Sequence, residues 1–168
     1  MVTGKGFSDR VEIWLARIPG IRTYRDREHR RETDKKIREH LASRLQEVRF
    51  ELQRLALDWS QGGLMDGLEE LDRANSWAQQ LADSIRYASY GYSGIFAPEK
   101  IREEELSRLY EFDLSLTDEL DQLQSRVGEL NPQTPPAQRK RVIGEVNQLL
   151  GALEHKFNQR HDFMVRPA

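Results

Sequence analysis

The chain has 168 residues, 38% hydrophobic and 32% charged, with 26 Lys+Arg against 28 Asp+Glu and no cysteine. That length suits one domain with a sizeable core, and high charge with few aromatics favours long solvated helices over a sheet. The missing cysteine excludes disulfides, thiolate nucleophiles and Cys-based zinc sites, and a mean hydropathy of -0.76 without a long apolar run excludes a transmembrane helix.

The first helix is short. Ser8 stands at its start, and Val11, Trp14, Leu15 and Ile18 fall at i, i+3, i+4 and i+7, one apolar face. Pro19 and Gly20 end it. The opening residues carry no apolar signal stretch, so a reducing cytoplasm is the expected compartment.

The second helix is expected from Thr23 to about residue 60. Its first half is almost wholly charged, with acid-before-base pairs such as Glu32–Lys36 and Asp34–Arg38 at i,i+4. From Ile37 an apolar stripe runs through Leu41, Leu45, Val48, Leu52, Leu55 and Trp59 at near-heptad spacing. Gly62 and Gly63 stop it. The charged half is expected to project beyond the core.

The third helix runs from about Leu64 to Tyr87 on Leu64, Leu68, Leu71, Asn75, Ala78, Ala82 and Ile85. The fourth runs from about Pro98 to Leu130 on Leu106, Leu109, Asp113, Leu116, Leu120, Leu123, Val127 and Leu130. Pro98 suits a first helical position, and Glu99, Glu103, Glu104 and Glu105 suit the positive helix end. Asn131–Pro136 is a proline-rich linker. A fifth helix follows to about Asn158, with Val142, Val146, Leu149, Leu153 and Phe157 on one face.

The expected fold is all-α: an antiparallel up-down helical bundle with long coiled-coil-like helices and a short N-terminal helix. Residues 1–22 form the short helix and turn, 23–130 three long antiparallel helices, and 131–168 the linker and a C-terminal helix packing on them, as a single domain. The runner-up is an open three-helix coiled coil with a detached C-terminal helix.

Four features bear on function. The loop 87–98 gathers Tyr87, Tyr90, Tyr92, Ile95 and Phe96 around Gly91 and Gly94, which suits a partner-binding tip, a membrane wedge or a lid on the core. Asn75 and Asp113 interrupt the seams. Folding the third and fourth helices about a turn near residue 95 puts them in one layer, with Asn75, Arg49 or Arg73 as partner to the Asp113 carboxylate. The preferred reading is a register-fixing polar layer, and the alternative is a ligand or metal site inside the bundle. Arg27, Arg31, Lys35 and Arg38 fall on one helical face that fits an acidic partner or anionic headgroups, although interleaved acids largely neutralise it. His29, His40, His155 and His161 have no metal-binding spacing.

Charge is segregated along the chain: net +4 over 1–60, -9 over 61–130 and +3 over 131–168. The pI near 6.1 argues against nucleic acid. No motif points to catalysis, metal or cofactor.

The layout resembles, in architecture alone, the long helical-hairpin phage-shock and ESCRT-III-like membrane remodellers. That resemblance implies membrane contact through the first helix, and no residue carries over. The expectation is therefore a non-enzymatic interaction or scaffold module that binds a protein partner or itself. A peripheral membrane-associated protein and a small-ligand-binding bundle are the alternatives.

Overall fold

The computed structural model describes residues 8–21, 30–88 and 103–165, with only the helical backbone at 30 and 161–165. The charged stretch that includes Arg27, the loop residues Tyr90, Tyr92, Ile95 and Phe96, and the expected start of the fourth helix lie outside them.

Among the described residues there are five helices: α1 Asp9–Arg17, α2 Arg30–Gln61, α3 Leu68–Tyr87, α4 Glu103–Gly128 and α5 Pro136–Val165. No strand occurs among the described residues. The apolar stripes read from the sequence are the core. Ile37, Leu41, Leu45, Leu52 and Trp59 of α2 are buried against Leu71, Ala78, Ala82 and Ile85 of α3, Leu109, Leu116, Leu120 and Leu123 of α4, and Val142, Val146 and Leu153 of α5. Ala74 and Leu81 widen the buried face of α3, and Leu150 rather than Leu149 is fully buried on α5.

The helices form a four-membered bundle with α1 laid on α4. α2 packs on α3 and on α4, and α5 packs on α4 and on α3. Around the bundle the order is α2, α3, α5, α4. Side-chain pairs give the directions. Gln46 meets Gln79, and Arg38 reaches the end of α3, so α2 and α3 are antiparallel. Arg126–Glu145 and Lys156–Glu119 make α4 and α5 antiparallel. The chain therefore runs up, down, up, down, with α3 and α4 on a diagonal. This corrects the expectation that α3 folds directly back on α4. It also excludes the detached-helix alternative, since α5 contributes Val142, Val146, Leu150 and Leu153 to the core.

The chain turns follow local chemistry. After α2, the Leu64 N–H donates to the Trp59 carbonyl (2.8 Å) and the Gly63 N–H to the Ser60 carbonyl (3.1 Å). This paired closure needs a left-handed residue, and Gly63 supplies φ 72°. α3 then begins at Leu68 rather than Leu64, because Gly67 at φ 91° occupies its N-cap. After α4, the Asn131 side chain accepts the Gln133 N–H, and Thr134 Oγ1 accepts the Asn131 N–H, both at 2.9 Å. Those bonds settle the backbone of the proline-rich turn before α5.

α1 uses its single apolar face. Val11, Trp14, Leu15 and Ile18 are buried, while Arg10 reaches Asp118 of α4 at 3.2 Å. Of its large apolar residues only Ile13 is exposed. No helix of the described residues is long and apolar enough to cross a membrane.

Candidate functional site

The two ends of the bundle are chemically unlike. One end gathers the N-terminal half of α2, the last turn of α3, the first half of α4 and the last third of α5. There the core stops being apolar and becomes a closed network of four charges. Arg160 of α5 donates from Nε to Asp113 Oδ1 (2.6 Å) and from Nη2 to Asp113 Oδ2 (2.9 Å) and Asp34 Oδ1 (2.6 Å). Arg38 donates from Nε to Asp34 Oδ2 (2.9 Å) and from Nη1 to the Arg86 carbonyl (2.9 Å). The last bond satisfies a carbonyl that the final turn of α3 leaves without a partner.

All four side chains are buried, Asp113 completely. Two carboxylates face two guanidiniums, so the network is neutral. Burial alone would raise Asp34, but Arg160 and Arg38 outweigh it and hold its carboxyl below the usual carboxylate range. Burial pushes Asp113 the other way: it outweighs the bonded Arg160 and the more distant Arg38, and the Asp34 charge adds to it. Both carboxylates keep Arg160 charged despite its burial. Each carboxylate oxygen in the network accepts a hydrogen bond from a guanidinium, and the group is shut from solvent. Such a set orders helices, but its carboxylates are poorly placed to exchange protons with a substrate.

This geometry revises three sequence expectations. Asp113 is partnered by Arg160, not by Asn75, Arg49 or Arg73. Asn75 is half-buried on α3, diagonal to α4, and its Oδ1 has no hydrogen bond. Arg49 bonds Gln46, and Arg73 pairs with Glu69 at the surface. Arg38 does not belong to an exposed basic face: it points inward, because it stands three and seven residues before Leu41 and Leu45 and so shares their buried side of α2. Arg31 and Lys35 remain exposed, with Lys35 3.8 Å from Glu39. The described charged half of α2 thus packs within the bundle instead of projecting. Tyr87, 66% exposed on the last turn of α3, stands at this same end.

Among the described residues no group of His, Asp or Glu is arranged to hold a metal ion. His40 is half-buried. Burial first, then Arg44, lowers its pKa against the opposing pull of Glu47 and Asp121.

The opposite end carries a cleft of about 630 Å³ between the first turns of α3 and α5. Asp66, Gly67 and Glu70 form one wall, and Arg139, Lys140, Ile143, Gly144 and Asn147 the other. Its floor is tight. A Cβ on Gly67 would lie 3.0 Å from Ile143 Cδ1 and 3.3 Å from the Trp59 ring. The Arg139 guanidinium lies over the Trp59 ring at 4.5 Å and donates from Nη2 to the Thr134 carbonyl at 3.1 Å. A second, more open groove of about 700 Å³ runs between α4 and α5 and is bridged by Arg126–Glu145. Neither cleft is lined by Asn75 or Asp113.

No family model, curated protein or solved structure matches this chain. Its own surfaces are therefore the guide to its function.

Proposed function

We propose that the protein is a non-enzymatic interaction module that self-associates through the outer face of α2. One observation carries this reading. Phe50 and Leu57, seven residues apart on that face, are 60% and 57% exposed. Ser43, Gln53 and Ser60 extend the same strip, and all are exposed and uncharged. The strip stands out in a helix otherwise dense with charge, and its spacing suits docking against another helix.

The flanking charges favour a second copy in antiparallel orientation. Glu47 and Arg54 lie on one side of the strip, seven residues apart and opposite in sign. Among the described residues Glu47 has only a long ion pair with Arg44, at 3.7 Å. Arg54 has no ion pair among the described residues. A two-fold axis between residues 50 and 51 brings Glu47 of each copy to Arg54 of the other and sets the two Phe50 side chains next to each other across it. The small apolar area implies a weak dimer.

Sedimentation equilibrium from micromolar to near-millimolar concentration tests this. The wild type is expected to pass from monomer to dimer. Phe50→Glu/Leu57→Glu is expected to stay monomeric with an unchanged melting temperature. Glu47→Arg should weaken the dimer and Glu47→Arg/Arg54→Glu restore it. A wild-type monomer at every concentration would overturn the proposal.

The membrane alternative draws no support from α1, whose apolar face is already buried apart from Ile13.

A further inference from the structure

Three arginines are buried among the described residues: Arg38, Arg139 and Arg160. Two of them have carboxylates at hydrogen-bond distance. Arg139 has none among the described residues, although it is only 5% exposed. A buried guanidinium without a counter-charge is costly. The Trp59 ring and the Thr134 carbonyl offset part of that cost. Its Nε still has no acceptor.

The surroundings of Arg139 supply the rest of an anion site. α3 and α5 run parallel as neighbours, so their positive ends open on the same cleft. The N-cap of α3 is Gly67, with no side-chain cap on the first-turn N–H groups. The Leu68 N–H turns back to the Met65 carbonyl at 3.3 Å, which leaves the Glu69 and Glu70 N–H groups as the donors that this helix start offers to an anion. Lys140 lines the cleft as a second cation and has no ion pair among the described residues. Gly144 lies inside α5, where glycine costs about 1 kcal/mol relative to alanine. No atom lies within 4 Å of where its Cβ would stand, so its effect is to leave the cleft open.

Asp66 and Glu70 on the facing wall disfavour a bare polyanion. Together with Asn147, whose Oδ1 has no donor, they suit a ligand that also donates hydrogen bonds. We infer that the cleft between α3 and α5 binds a small carboxylate- or phosphate-bearing molecule with hydroxyl or ammonium groups of its own. The anion lies toward Arg139, Lys140 and the helix starts, and the donors lie toward Asp66 and Glu70. The site is independent of the α2 surface.

Amide NMR titration of the full chain with glycerate and with glycerol 3-phosphate tests this, with glycerol and chloride at matched ionic strength as controls. Saturable shifts confined to the first turns of α3 and α5 and the Trp59 indole are expected with at least one of the two. Which of them acts identifies the anion as carboxylate or phosphate. Gly144→Phe should fill the cleft and abolish the shifts while preserving the fold. Lys140→Glu, an exposed change that cannot disturb the core, should weaken binding at least tenfold. Shifts that never saturate, that chloride or glycerol reproduces, or that persist unchanged in both variants would overturn the inference.

Discussion

Arg160→Met is expected to destabilise the protein by about 3–5 kcal/mol, because it strands two buried carboxylates that share one guanidinium. For a chain of this size that corresponds to a fall of roughly 6–20 °C in Tm. Asp113→Leu alone should also destabilise, since Arg160 then keeps only the Asp34 carboxylate that Arg38 already uses. The double change Asp113→Leu/Arg160→Met should cost less than either single one. It removes one neutral pair and leaves the other, Asp34–Arg38, intact. Thermal and urea unfolding of the three variants gives the coupling directly. Additive losses would show that the four charges do not act as two neutral pairs.

Trp59→Ala is expected to cost about 3–5 kcal/mol, as large-to-small changes at fully buried aromatics do. Trp59 is completely buried at the end of α2 and meets the starts of α3 and α5 at that end of the bundle. Its ring lies under Arg139 and against Gly67, and its own carbonyl closes the turn after α2. Trp59→Phe should lose less, because an aromatic face remains for the guanidinium. Equal losses for the two variants, measured by urea unfolding, would mean that the stacking contributes nothing beyond volume.

The apolar seams are legible in the sequence because each residue in them obeys the helical period. That period alone places Leu41, Leu52, Leu116 and Leu153 inside, and all four are buried. The charge network escapes the same reading, because an apolar stripe ends at its last apolar residue. Asp34 stands seven residues before Leu41, and Arg160 seven after Leu153. Heptads continued through those charges put both on buried faces, level with Asp113. Arg38 reads as a surface residue only when charge is equated with exposure. The diagonal placement of α3 and α4 lies beyond the pattern, since periodicity says which face is buried and not which neighbour buries it. The cleft is equally hidden: Arg139 and Gly144 acquire meaning only when α3 is set beside α5. Tyr87 alone represents the aromatic loop among the described residues, and its exposure leaves it accessible to a partner.

The spacing of the four charges along the chain carries a timetable for assembly. Asp34 and Arg38 are four residues apart, and Arg38 meets α3 within 48 residues. The α2–α3 hairpin can therefore close early with its buried charges balanced. Asp113 has no such local partner. It waits for Arg160, 47 residues later, which also joins to Asp34 across 126 residues. Docking α4 before α5 would strand a carboxylate in a dry core, so these two helices should arrive together as a charge-matched unit. Long-range closures of this kind are slow relative to hairpins. Pulse-labelled hydrogen exchange during refolding should find α2 and α3 amides protected first, and protection of α4 ahead of α5 would contradict that order.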